Sequence, residues 1–184
     1  MTPEAMEHLT TAELEAGLGR IRQSPSDAGV VRLIVRRPAP NDREVVQEAE
    51  LDPEAGLVGD SWSRRRGADA DMQLTLMNAR VTELVAGDPD RWPLAGDQVY
   101  VDFDLSVMNV PAGTRLALGS AVIEVTDVPH TGCRKFVSRF GLDAMTFVNS
   151  PTGRSLNLRG INARVVQPGS VRVGDAVRKV SGKD

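Results

Sequence analysis

The sequence predicts a mostly β fold with short helices (α+β), most simply a barrel with helices on its outside. Runs of branched and apolar residues recur along the chain, and glycine or a Gly-Asp pair precedes several of them. About eight such runs with frequent glycine are typical of a barrel or a sandwich. The chain has 184 residues, 41% hydrophobic and 26% charged, which suits one domain with a buried core and excludes a disordered or fibrous protein.

The first predicted element is a helix that begins at Thr10. The segment from Thr10 to Glu13 has the Ser/Thr-x-x-Glu form of a capping box, and leucines before and after the cap could form a hydrophobic staple. Apolar residues then recur at helical spacing, and a Ser-Pro-Ser-Asp run ends the helix near Gln23. We interpret residues 1–28 as an N-terminal helical extension of a barrel domain that spans residues 29–184.

The predicted strands follow from Gly29 onward. They are rich in valine and isoleucine, and turn residues separate them. They cover residues 30–35, 44–51, 96–101, 115–118, 119–125, 163–166, 171–173 and 174–180.

Two helical segments interrupt these strands. Residues 78–86 place apolar side chains on one side, and Gly-Asp-Pro follows. Residues 134–140 place two phenylalanines one turn apart before Gly141, and residues 143–148 form a further turn.

Composition and missing motifs exclude several classes of function. The 22 Lys and Arg against 25 Asp and Glu give a net charge of −3, which provides no bulk attraction to nucleic acid or membranes. One cysteine and two histidines cannot build a four-ligand zinc site. The acidic N-terminus does not resemble a secretory signal, and the P-loop, Rossmann and common hydrolase motifs are absent. We therefore expect a cytoplasmic protein that binds no zinc, nucleic acid or membrane.

Residues 129–136 are the most informative for chemistry. They place Cys133 at a strand-to-helix junction, with Arg134 and Lys135 directly after it and His130 three residues before it. The cations and the helix N-terminus favour a thiolate. The alternative is a buried structural cysteine. His130 is either a general base or orienting partner for the thiol, or a histidine held by ordinary hydrogen bonds.

A second candidate segment runs from residue 150 to residue 164. It alternates arginine, hydroxyl and amide side chains with glycine, which suits a phosphate or a polar heterocycle. A surface loop and strand would have the same composition. The run Arg64–Arg66 is interpreted as a solvated loop, because the protein is acidic overall.

Together these segments resemble the MOSC domain, the C-terminal part of molybdenum cofactor sulfurases, found also in small bacterial proteins and amidoxime-reducing enzymes. The resemblance implies a stand-alone barrel similar to the pyruvate kinase insertion barrel. The resemblance rests on residues 57–60, 73–78, 94–97, 113–125, 130–133, 159–165 and 169–175.

The resemblance also implies a cofactor and a reaction. In the family, the cysteine matching Cys133 is the proposed sulfur carrier or a molybdenum ligand. The resemblance therefore implies a molybdenum–pterin cofactor here. Through the molybdenum cofactor sulfurases, it also implies binding of pyridoxal phosphate. The reaction would be reduction of an N-hydroxylated small molecule or sulfur transfer, with His130 assisting proton movement and a separate redox or sulfur-donor protein as partner. The candidate contacts to the cofactor are Arg134, Lys135, Arg154, Asn157, Arg159 and Asn162.

The chain departs from the family pattern in two places. Residues 62–69 replace a frequent His-Gly-Gly stretch, and Gly132 precedes the cysteine where proline is common. A rival interpretation is a binding barrel without redox chemistry that holds a small anion or a partner protein, with Cys133 as a structural residue. A third is a hydrolase that uses Cys133 and His130, for which the sequence identifies no third orienting residue.

Overall fold

The computed structural model describes residues 7–181. Residues 1–6 lie outside the described residues, and part of the expectation that the chain has no secretory signal rests on them. None of the helices in this range is long and apolar enough to cross a membrane. The strands are β1 (Ala28–Arg36), β2 (Glu44–Val46), β3 (Glu48–Asp52), β4 (Gly56–Leu57), β5 (Leu74–Asn78), β6 (Val99–Asp102), β7 (Arg115–Leu118), β8 (Ala121–Val125), β9 (Ile161–Gln167), β10 (Gly169–Arg172) and β11 (Ala176–Val180).

The helices are short, and all but the two before β1 lie in the links between strands. Three short 3-10 helices accompany them, over Trp62–Arg64, Ala70–Met72 and Pro89–Ala95. The α-helices are α1 (Thr11–Ala16), α2 (Leu18–Arg22), α3 (Ala79–Ala86), α4 (Arg134–Phe140), α5 (Leu142–Asn149) and α6 (Pro151–Ser155).

Seven strands close into a barrel in the order β1, β11, β7, β8, β9, β5 and β6. The ring closes because β1 pairs with β11 near its start and with β6 over most of its length. All pairs in the ring are antiparallel except β5 with β6. Strand β2 pairs with β1, and β3, β4 and β10 form a separate small sheet. The predicted barrel with short helices is confirmed.

Two apolar clusters hold the elements together. The first comes mainly from the barrel strands; in β8 the buried residues Ala121, Ile123 and Val125 alternate with partly buried ones. The second packs the helices on the barrel and includes Phe136 and Phe140 of α4. Burial of these two rings fixes the position of α4, and with it the position of the residue that precedes the helix.

Several local predictions are confirmed. Thr10 caps α1 in a full capping box with Glu13. Helix α3 begins after Asn78, whose side chain accepts from the backbone N–H of Arg80. Helix α4 covers the predicted residues, and Gly141 follows it at φ +92°.

Four elements differ from prediction for identifiable reasons. The N-terminal helix is divided at Gly17, where a Cβ would lie 2.5 Å from Leu84 Cδ2. The predicted strand over 44–51 is β2 and β3, which join different sheets. Strand β5 was not predicted because it is buried on both faces and shows no alternation. Helix α6 was not predicted although Ser150 and Pro151 form its start.

Candidate functional site

A cavity of about 660 Å³ lies beside the start of α4. Its wall combines the segment that follows β1, the 3-10 helix at Trp62–Arg64, the turn at Gly96 and one side of α4. Within residues 7–181, no carboxylate side chain lines it. Seven cationic side chains do: Arg37, Arg43, Arg64, Arg65, Lys135, Arg139 and Arg159.

Cys133 lies at the edge of this cavity as the residue that caps α4. Its thiol is free and exposed. Partial burial raises the pKa of the thiol, but the backbone N–H groups of Phe136 and Lys135 and the charges of Arg159 and Arg139 lower it more. The pKa of Cys133 therefore lies below its usual value, as expected for a reactive thiol rather than a buried structural one.

His130 is held by a buried carboxylate. Its Nε2 lies 2.9 Å from Oδ1 of Asp97, whose side chain has no exposed surface. Burial raises the pKa of Asp97, but the charges of Arg159 and His130 outweigh burial and lower that pKa to about 2. Arg159 pairs with the other oxygen of Asp97 and donates to the Ala95 carbonyl at 2.9 Å. Among the described residues, no hydrogen bond joins His130 to the Cys133 thiol.

A second buried carboxylate, Asp60, organises the opposite wall. It accepts hydrogen bonds from the backbone and guanidinium of Arg37 at 2.8 to 2.9 Å and from the backbone N–H of Trp62 at 3.1 Å. Burial raises the pKa of Asp60, and its contacts with Arg37 lower it below the usual value. These contacts fold the chain after Asp60 back onto the cavity.

Two guanidinium groups flank Gly96, an arrangement that we call the Gly96 cradle. A Cβ at Gly96 would lie 3.6 Å from Nη1 of Arg139 and 3.7 Å from Nη2 of Arg43. Burial lowers the pKa of Arg43, and the neighbouring charges of Arg139 and Arg37 lower it further. The two cations therefore repel each other across a small space that an oxyanion could occupy.

The matches with known proteins fit this barrel. Residues 94–178 match the model of the MOSC domain family. This match covers just under half of the chain and indicates a resemblance to the MOSC domain. Three solved structures share this fold. A hypothetical protein is 23% identical, with 84% of this chain and 68% of that chain covered and a TM-score of 0.58. The YuaD protein of Bacillus subtilis is 16% identical (85% of this chain and 97% of that chain covered, TM-score 0.56), and YiiM from Escherichia coli is 22% identical (84% of this chain and 71% of that chain covered, TM-score 0.54). No curated protein matches the sequence.

The cavity brings together some of the residues singled out in the sequence. His130, Cys133, Lys135 and Arg159 line it. Arg134 precedes Lys135 on α4 and lines neither this cavity nor the next.

The remaining three candidates lie outside this cavity. Arg154, Asn157 and Asn162 line a second cavity of about 380 Å³, which shares His130 and Arg159 with the first. Asn157 donates to the Leu105 carbonyl and Asn162 to that of Val128, at 2.8 and 3.0 Å. Both amides therefore support the backbone near the site.

Sequence reasoning missed several residues of the cavity. Arg64–Arg66 are exposed, as the interpretation as a solvated loop predicts, but Arg64 and Arg65 also line the cavity because Asp60 turns this segment toward it. Arg37, Arg43 and Arg139 were also missed. Asp60 and Asp97 each follow a glycine in the stretches that resemble the MOSC family, and that Gly-Asp pairing was the available signal.

Proposed function

We propose that this MOSC protein binds a molybdenum–pterin cofactor in the cavity, with the Cys133 thiolate as its ligand to the metal, and acts in reduction of N-hydroxylated compounds or in sulfur transfer. The supporting observation is an exposed thiol of lowered pKa at the edge of a cavity lined by cations. A thiolate is a soft ligand that suits molybdenum, and it ligates only when deprotonated.

The residues present fit such a cofactor. A pterin cofactor carries a phosphate, and the Gly96 cradle offers two guanidinium groups to one oxyanion. Within residues 7–181, no three His, Cys, Asp or Glu side chains are grouped as a metal site. A metal at Cys133 would therefore bring its other ligands with it, as a pterin-bound metal does.

The chain supplies binding, orientation and proton handling at this site. The bound cofactor would supply the change of oxidation state that a reduction requires. Cys133 would hold the metal, and Arg43 and Arg139 of the Gly96 cradle would balance the negative charge of the cofactor's phosphate. Because Asp97 stays ionised, His130 carries its proton on Nε2 when neutral, which leaves Nδ1 to accept a proton.

Sulfur transfer would use the same Cys133 thiolate in the same cavity. Cys133 would attack the outer sulfur of a persulfide on a separate donor protein, forming a new S–S bond and releasing the donor's thiolate. The lowered pKa of Cys133 supports this step as well, because the thiolate is the attacking species.

The test is the molybdenum and pterin content of protein purified from a host that makes the cofactor. We expect near-stoichiometric metal and pterin in the wild type and loss of both in Cys133→Ala. Ser138→Ala is the matched control, because Ser138 is exposed on the same helix and does not line the cavity. Full cofactor content and activity in Cys133→Ser would contradict both versions of the proposal. A wild type without metal, pterin or persulfide would favour the non-catalytic anion-binding barrel.

A further inference from the structure

The cavity at Cys133 holds more positive charge than the carboxylates beneath it balance. Asp60 pairs with Arg37, and Asp97 pairs with Arg159. Within residues 7–181, the five other cations of the lining have no carboxylate partner. Two of these five form the Gly96 cradle, which leaves three.

We call these three residues, Arg64, Arg65 and Lys135, the outer cluster. All three side chains belong to exposed residues of the cavity lining. Arg64 donates to the Pro38 carbonyl and lies 3.5 Å from that of Asp60, and Arg65 lies 3.5 Å from Oγ of Ser61. These neutral oxygens hold the guanidinium groups at the cavity without neutralising them.

We propose that the substrate of this site is an anion, whose carboxylate or phosphoryl group is held by the outer cluster. The inference rests on the proposed function, in which the Gly96 cradle takes the cofactor's phosphate. One phosphate occupies the two guanidinium groups of the cradle, so the outer cluster is available to a second anion that approaches Cys133. Arginine forks match the oxygens of both groups, and a cation-lined cleft concentrates anions from solution.

Two alkylating agents of similar size test the charge preference without the cofactor. Iodoacetate is an anion and iodoacetamide is neutral, and each forms a bond from the Cys133 sulfur to carbon as iodide leaves. Both react with the same thiolate, so the ratio of their rates cancels the pKa of the thiol. We expect the ratio of iodoacetate to iodoacetamide rates in metal-free protein to exceed that of glutathione severalfold, and to fall as salt screens the charges.

Substitutions locate the source of the preference. Arg64→Gln with Arg65→Gln should lower the ratio severalfold. Arg66→Gln removes the same kind of charge from the next residue, which does not line the cavity, and should change the ratio by less than about 1.5-fold, because exposed charges away from the cavity are screened. An unchanged ratio in the double variant, or an equal fall in Arg66→Gln, would overturn the proposal.

The same protein separates the two sources of the anionic group. Acetate and inorganic phosphate, compared at equal ionic strength, should each slow iodoacetamide less in the double variant than in the wild type. The anion that shows the larger difference identifies the group as carboxylate or phosphoryl, and no difference for either overturns the inference. Failure of the cofactor proposal would appear in the metal analysis, whereas failure of this inference would appear in the rate ratio.

Discussion

Two buried aspartates, Asp60 and Asp97, lie behind the cavity wall and hold it in different ways. Asp60 and Asp97 each follow a glycine, and each binds an arginine of the cavity wall. Asp60 gives all its side-chain contacts to Arg37 and one neighbouring backbone group, so it shapes the wall. Asp97 divides its two oxygens between Arg159 and His130. The difference shows how one local motif can either support a site or orient a titratable group within it.

The largest expected effect comes from removing Asp97. Asp97→Ala leaves the buried Arg159 guanidinium without its carboxylate, and the side chain of Arg159 is only 8% exposed. Breaking a buried pair from one side costs about 3–5 kcal/mol. Urea unfolding followed by circular dichroism should show a fall of this size in the free energy of unfolding. A fall below about 1 kcal/mol, the typical worth of a surface pair, would show that Arg159 finds another partner.

Asp60→Ala should cost less, because its arginine can reach water. The side chain of Arg37 is 14% exposed, against 8% for Arg159. The lost charge-assisted hydrogen bonds indicate a fall of about 1.5–3 kcal/mol in the same measurement. The variant should also lower the ratio of iodoacetate to iodoacetamide rates, because Asp60 holds the segment that carries Arg64 and Arg65. Equal destabilisation by both aspartate variants would show that the exposure of the paired arginine does not determine the cost.

The stabilisation by Asp97 should also depend on pH. The pKa of Asp97 falls from 3.8 to about 2 on folding, so its stabilisation is complete above pH 3.8 and is lost as the pH falls through 2. A shift of this size corresponds to about 2 kcal/mol at neutral pH. Asp97→Asn cannot titrate, and its stability should fall less steeply than that of the wild type between pH 5 and 2. Parallel pH profiles for the two proteins would contradict the assignment.

Elements bounded by local sequence signals were predicted correctly. Elements whose pattern depends on burial by distant parts of the chain were not. The capping box at Thr10 and the glycine stop after Phe140 act within a few residues, so the helices they bound were predicted. Strand β5 lacks alternation because both its faces are buried, a fact that depends on the rest of the barrel.

The site divides in the same way. Cys133 and His130 stand within one short segment whose chemistry is visible in sequence. The other residues of the cavity come from distant segments, and closure of the barrel and the two aspartates bring them together. Arg43 and Arg139, for example, lie far apart in sequence and meet only at Gly96. The charge of the cavity therefore could not be read from a chain whose net charge is −3.

The smallest expected effect concerns the thiol itself. The backbone N–H groups at the start of α4 lower the pKa of Cys133 more than the charge of Arg139 does. Arg139→Gln should therefore raise the midpoint of iodoacetamide alkylation against pH only slightly, because partly exposed charges are screened. Arg134→Gln is the matched control on the same helix, and it should leave the midpoint unchanged although it is adjacent to Cys133. A larger shift in Arg134→Gln than in Arg139→Gln would show that sequence neighbours, rather than the cavity wall, set the reactivity of the thiol.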